Sequence, residues 1–305
     1  MSPVAPDAFL REVLDGLCQP QKRLPGKYIW DEAGSAIFAR IVEAPDYYLG
    51  RREVALTRAR LPEIAAAAGP VVTIVEFGSG ASMKVRALLQ AMPSVRRYVA
   101  LDISEEHLRA GTERIGRDHG IEAIPIVADY TRPLPPLPLV APTLGYFAGS
   151  TIGNFPPDDA VALLARFRAA LGPSAFLVGV DPNRDPATLR AAYSGELFAG
   201  LHKNLLVRLN RELGADFDPD AFRHEARVLA DPFRVEAHLV ATRDARVRVG
   251  DATIAIQAGE SIFTDASYKY APEAFAELAA RAGWQAERRW DDPDGLFDLH
   301  LLRCG

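Results

Sequence analysis

The chain has 305 residues, 49% hydrophobic and 25% charged, the balance of a globular protein long enough for one large or two ordinary domains. Its formal net charge of −5, with no Lys/Arg block, argues against a nucleic-acid partner. The longest apolar stretch, "PLPPLPLVAPTLGYF", is cut by prolines and too short for a bilayer, so no membrane partner is expected.

The N-terminal "MSPVAPDAFLREVLDGLCQP" alternates apolar with acidic residues and reads as a short amphipathic helix, not a signal peptide, so a cytoplasmic location is expected. From residue 71 short apolar runs alternate with amphipathic stretches. "VVTIVEFG", "RYVALDIS", "AIPIVADY", "TLGYFAGSTIGNF" and "AFLVGVD" read as strands, the fourth with a turn, and "KVRALLQAM", "EEHLRAGTERIGRDHG" and "PDDAVALLARFRAALG" as the helices among them. Such alternation calls for a parallel sheet with helices on both faces.

Residues 182–269 break that rhythm. They hold one helical stretch, "PATLRAAYSGELFAGLHKNLLVRLNREL", a proline-marked "FDPDAFRHEARV", and strand-like runs in which "VRVGDATIAI" carries a Gly-Asp hairpin signal. After Tyr270 come a helix, "PEAFAELAARAG", and two strands, "WQAERRWDD" and "LFDLHLLRC", joined by the turn "PDG". A terminal helix followed by an antiparallel pair is how class I methyltransferase sheets close. The expected fold is therefore α/β, a Rossmann-like seven-stranded class I methyltransferase sheet with a second, α+β unit inserted over 182–269.

The turn "EFGSGASMK" has Gly78 and Gly80 but Met83 where a dinucleotide fold needs its third glycine. S-adenosylmethionine has no phosphate and asks only for close backbone approach around its amino-acid tail. The next strand ends in Asp102, placed to accept from ribose hydroxyls, and a third ends in Asp129, placed for the adenine amino group. His107, His119, His202, His224, His238 and His300 show no metal-ligand spacing, and Cys18 and Cys304 sit near opposite ends. No metal is expected, and both thiols are expected to be reduced.

With these residues in hand the chain resembles the histidine Nα-methyltransferases of ergothioneine biosynthesis, which use S-adenosylmethionine to convert an α-amine to a trimethylammonium betaine. The resemblance runs through "GKYIWDEAGSAIF", "PDYYLGRRE", "VEFGSGASMK", "ADYTRP", "GSTIGNF", "LNRELGADFDPDAFRH" and "SYKY". It implies a cofactor domain of 52–181 plus 270–305, an α+β substrate-binding domain of 1–51 plus 182–269, and cofactor contacts at Gly78, Gly80, Lys84, Asp102, Asp129, Tyr130 and Gly149. It also implies that Asn154 and Tyr193 hold the substrate carboxylate, that Tyr47 lines the same pocket, and that Asp265 and Ser267 read the imidazole. A monomer acting on a small-molecule amino acid is expected. Packing alone would account for Tyr47 and Tyr193, and helix capping for Asn154.

Three positions depart from the family's pattern. Trp30 replaces a tyrosine near the amine, Asp265 a glutamate, and Ala237 a methionine against the substrate side chain. A carboxylate withdrawn by one methylene and an opened volume favour a different or larger side chain, since a site that hydrogen-bonds a substrate group discriminates strongly on it. Methyl transfer from a sulfonium needs chiefly positioning of a neutral amine at about 3 to 3.5 Å from the methyl carbon. Aromatic faces, Tyr47, Trp30 and Phe38 among them, suit the quaternary cation that repeated transfer creates. Other readings stay open: the same reaction on another amino acid, an aromatic one for example, or on a derivative; a non-catalytic S-adenosylmethionine-binding regulator; and a nicotinamide oxidoreductase, against which the missing third glycine stands.

Overall fold

The computed structural model describes residues 6–80 and 84–305. Residues 1–5, where the expected N-terminal helix begins, and Met83 lie outside the described residues. In chain order the elements are α1 (Pro6–Leu17), α2 (Glu32–Glu43), α3 (Leu49–Ala68), β1 (Thr73–Phe77), α4 (Val85–Ala91), β2 (Arg97–Asp102), α5 (Glu105–His119), β3 (Glu122–Val127) and β4 (Thr143–Phe147). There follow α6 (Pro157–Leu171), β5 (Ser174–Val180), α7 (Pro186–Tyr193), α8 (Glu196–Leu213), β6 (Phe222–Ala230), β7 (Phe233–Ala241) and β8 (Ala245–Val249). The last are β9 (Ala252–Ile256), β10 (Ser261–Tyr268), α9 (Pro272–Arg281), β11 (Gln285–Asp291) and β12 (Asp298–Cys304). Among the described residues no helix is long and apolar enough to cross a membrane.

The chain divides into two compact units, residues 1–48 with 184–267 and residues 49–183 with 268–305. In the second, the described strands form a seven-stranded sheet in the order β11-β12-β5-β4-β1-β2-β3. β1 to β5 run parallel, and β12 lies antiparallel to both β5 and β11, the closing pair expected from the C-terminal sequence. Every residue of β1, β4 and β5 is buried because helices cover both faces. Ile74, Tyr98, Leu144 and Leu177 meet Leu56 of α3, Val85 of α4 and Leu108 of α5 on one face. Val75, Val99, Phe147 and Val178 meet Phe167 of α6 and Phe275 of α9 on the other.

β1 is flanked by β2 on one side and β4 on the other, so the strand order reverses there, and ligands of open α/β sheets bind beyond the carboxyl ends of such strands. Gly78, Asp102 and Gly149 follow or end those three strands. Asp129 lies two residues beyond β3, not at its last residue, because the backbone leaves the sheet after Val127 and folds Asp129 back onto Thr131. Asn154 ends a 3-10 turn, Thr151–Asn154, while Pro156 precedes α6, so Asn154 caps no helix.

In the first unit, β10, β7 and β6 form a three-stranded sheet and β8 with β9 a separate hairpin. The hairpin's two-residue loop is the expected Gly250-Asp251, with Gly250 at φ +57°. The expected single helix over 186–213 is two. Ser194 is extended and Gly195 has φ +96°, which breaks the backbone between α7 and α8. The proline-marked stretch is short: a 3-10 turn, Pro219–Ala221, leads directly into β6 at Phe222.

Candidate active site

The glycine turn is built by its own hydrogen bonds. Gly78 N–H and Ser79 N–H donate to Leu101 O at 2.8 and 3.1 Å, and Gly80 N–H donates to Asp102 Oδ2 at 2.9 Å. Asp102 Oδ1 accepts from Ser104 N–H at 2.9 Å, so one carboxylate joins the turn after β1 to the end of β2. Gly78 at φ +70° and Gly80 at φ +51° hold conformations that a side chain resists. Ser79 Oγ, in a buried residue, has no hydrogen-bond partner among the described residues. An orphaned hydroxyl on a glycine turn, beside a carboxylate with lone pairs to spare, fits the amino-acid tail and ribose of S-adenosylmethionine.

Asp129 Oδ1 accepts from Thr131 N–H and Oγ1–H at 2.9 and 2.5 Å. Tyr130 packs edge-on against Phe147, at 5.7 Å between centroids, and against Phe155 and Phe167. Lys84 stands at the start of α4, and its ammonium pairs with the buried Glu53 of α3. Gly149, at φ +76°, donates its N–H to Glu53 Oε1 at 2.9 Å, and a Cβ there would lie 3.1 Å from Lys84 Nζ. Glu53 and Glu76 are absent from the sequence-based site. The signal was present: Glu53 occupies the apolar stripe of Leu49, Leu56 and Ile64, and Glu76 interrupts an apolar strand.

Glu76 accepts from Tyr98 Oη at 2.5 Å, and burial above all pushes its carboxyl up to about 8 despite that bond and the Lys84 charge. Between its ordinary value of 4.5 and about 8 the folded protein keeps a proton that the unfolded chain gives up. Glu76 therefore takes stability away as pH rises through that window. Glu76→Gln is expected to flatten the fall in urea midpoint between pH 5 and pH 9. Parallel profiles for the two proteins would contradict this.

Trp30, Tyr47, Tyr193, Asp265 and Ser267 fall in the unit of residues 1–48 and 184–267, whereas Asn154 falls in the unit that holds the glycine turn. The segment before Trp30 is pinned. Tyr28 donates its hydroxyl to Glu12 at 2.9 Å and its carbonyl accepts from Arg208 at 2.9 Å, while Asp31 caps α2 and accepts from Asn204 at 2.8 Å. Trp30 and Phe38 meet edge-on at 5.1 Å, and Tyr47 lies 6.0 Å from Phe38, 6.0 Å from Tyr193 and 5.8 Å from Phe198. Tyr193 Oη and Ser267 Oγ are 3.1 Å apart.

Asp265 Oδ1 accepts from Ala266 N–H at 2.9 Å, and a Cβ on Gly26 would sit 3.0 Å from that oxygen. Burial lifts the Asp265 carboxyl to about 7. Thr264 bridges the neighbourhood, donating to Ala237 O at 3.0 Å and lying 2.9 Å from His202 Nδ1. His202 stacks on His224 at 5.0 Å, and burial first, then neighbouring histidine charge, presses the two down to about 3 and about 4. Both rings are neutral at physiological pH. They lie beside Phe198, which sequence spacing had no means of assigning to the Tyr47 cluster.

Residues 9–304 match the family described as histidine-specific methyltransferase, SAM-dependent. A histidine N-alpha-methyltransferase of Mycobacterium tuberculosis is 39% identical over 303 residues, 96% of this chain and 94% of that protein. One of Mycolicibacterium smegmatis is 38% identical, covering 97% of this chain and 95% of that protein. A 4-dimethylallyltryptophan N-methyltransferase of Aspergillus fumigatus is 24% identical, covering 96% and 92%. The glycine turn, the sheet order and a match over nearly the whole chain lead to one statement: this chain belongs to the histidine-specific, S-adenosylmethionine-dependent methyltransferase family and is an S-adenosylmethionine-dependent N-methyltransferase.

Proposed function

We propose that the chain methylates the α-amine of free L-histidine in successive transfers, giving the trimethylated betaine, as a monomer in the cytoplasm. The observation that carries this reading is the aromatic group of Trp30, Phe38, Tyr47, Tyr193 and Phe198, set in one unit with the Tyr193–Ser267 hydroxyl pair and the Asp265 carboxyl. The 39% identity to a histidine N-alpha-methyltransferase supports histidine as the amino acid.

S-adenosylmethionine supplies an electrophilic methyl on its sulfonium. In this reading Gly78, Gly80, Lys84 and Gly149 hold its amino-acid tail, Asp102 its ribose, and Asp129 with Tyr130 its adenine. Asn154 and Tyr193 fix the substrate carboxylate and leave the α-amine free to turn between transfers. Asp265, poised near neutrality, and Ser267 hydrogen-bond the imidazole. As the amine loses its N–H groups, the faces of Tyr47, Trp30 and Phe38 become its best partners.

A second reading, the same reaction on another aromatic amino acid, is favoured by the short reach of Asp265 and by Trp30 and Ala237, and by the 24% relative named for a tryptophan derivative. One assay separates the two. Release of S-adenosylhomocysteine is followed with each of the twenty amino acids and with Nα-acetylhistidine. Histidine is expected to give the highest kcat/KM and the acetylated amine none. Turnover of another aromatic amino acid with histidine inert would replace the first reading by the second.

A further inference from the structure

Glu53 is a charged side chain placed where an apolar one would pack. It sits on the sheet-facing stripe of α3 with 1% of its side chain exposed, above the face that carries Tyr98, Tyr146 and Leu177. Taking a carboxylate out of water is unfavourable unless partners compensate, so its contacts state what it is for.

Those contacts converge from both sides of the point where the strand order reverses. The Lys84 ammonium, at the start of α4, pairs with one carboxylate oxygen. Gly149 N–H, in the turn after β4, donates to the other at 2.9 Å, with Tyr146 Oη at 3.4 Å. β1 and β4 are neighbours in the sheet, so one carboxylate ties together the segments that follow them. The surroundings make room for it. A Cβ on Gly179 of β5 would stand 3.1 Å from Glu53 Oε1 and 2.8 Å from Phe297. Gly149 keeps the positive φ that aims its amide at Glu53, and a Cβ there would crowd the Lys84 ammonium.

We propose that Glu53 is a positioning residue that aims the Lys84 ammonium, and with it the Gly149 turn, at the carboxylate of the cofactor's amino-acid tail. The proposal rests on the reading of Lys84 and Gly149 as cofactor contacts. It separates Glu53 from a merely structural acid because its effect must pass through Lys84 and must depend on the tail.

The test is calorimetric binding of S-adenosylhomocysteine and of 5′-methylthioadenosine, which lacks the amino-acid tail, to the full chain. Glu53→Gln keeps an oxygen for Gly149 N–H and removes the charge facing Lys84. It is expected to weaken S-adenosylhomocysteine by about ten- to hundredfold, the loss of a charge-assisted contact, and to leave methylthioadenosine within about twofold. Lys84→Met is expected to do the same, and the double variant no more than Lys84→Met alone. Glu53→Asp, which keeps the charge but withdraws it by one methylene, makes the same comparison should Glu53→Gln fail to fold.

Wild-type affinity for S-adenosylhomocysteine in Glu53→Gln would overturn the proposal. So would equal losses for both ligands, or additive losses in the double variant. If Lys84→Met binds S-adenosylhomocysteine normally, the Lys84 assignment fails and the proposal with it. Wild-type protein that binds neither ligand would instead refute the cofactor site itself.

Discussion

Asp102→Asn is expected to raise the KM for S-adenosylmethionine about a hundredfold while changing kcat by less than about threefold. The carboxylate serves two backbone donors, Gly80 N–H through Oδ2 and Ser104 N–H through Oδ1, both at 2.9 Å. An amide has one acceptor oxygen, so one of those N–H groups would face an NH2. A hydrogen bond to a charged group contributes about 1.5 to 3 kcal/mol, and the substitution removes one and weakens the other. The turn that holds Gly78 and Gly80 at positive φ then loses its tie to β2. The effect falls on KM because these contacts precede the chemistry and are the same in ground and transition states. Initial rates at saturating amino acid measure it; a KM within threefold of wild type would contradict the role given to Asp102.

Lys269→Met is expected to cost about 3 to 5 kcal/mol of stability. Lys269 Nζ donates to Asp181 Oδ2 at 2.6 Å, and both side chains are wholly buried. Asp181 is also a junction: Oδ1 accepts from Asn183 N–H at 3.0 Å, its own N–H donates to Ser150 Oγ at 3.0 Å, and its carbonyl accepts from Tyr270 N–H at 3.2 Å. Removing the ammonium leaves a carboxylate in the interior without its counter-charge. At roughly 2 to 4 °C for each kcal/mol, the melting temperature should fall by about 6 to 20 °C. Lys269→Met with Asp181→Asn together should recover part of that loss, since the stranded charge is gone. A melting temperature within about 2 °C of wild type for the single variant would show that the pair contributes nothing net.

How much of this was legible in the residues follows from burial. β1, β4 and β5 are covered on both faces, so they read as unbroken apolar runs and a parallel sheet followed from their alternation with helices, whereas the strand order that makes β4, β1 and β2 neighbours is set by long-range pairing and came only with the fold. The Gly250-Asp251 hairpin was equally plain because its turn chemistry is local. Failures came where a neighbour distant in sequence decides. α3 went unassigned, with Pro62 inside it and charged residues along its outer face. Glu53 gains its meaning from Lys84 and Gly149, which lie on other segments. The break between α7 and α8 turns on a single glycine at φ +96°, a residue that helical stretches often tolerate. His202 and His224 carry no ligand spacing in the chain, yet the fold stacks them against each other beside Phe198.

We propose that this chain moves methyl groups from S-adenosylmethionine to the α-amine of histidine, repeatedly. Mass spectrometry of histidine incubated with purified protein and excess S-adenosylmethionine tests it most directly. Products carrying one, two and then three methyl groups are expected, all on the α-nitrogen by fragmentation, with the trimethylated species accumulating. Histidine recovered unmodified, or methylated only on its ring, would contradict it.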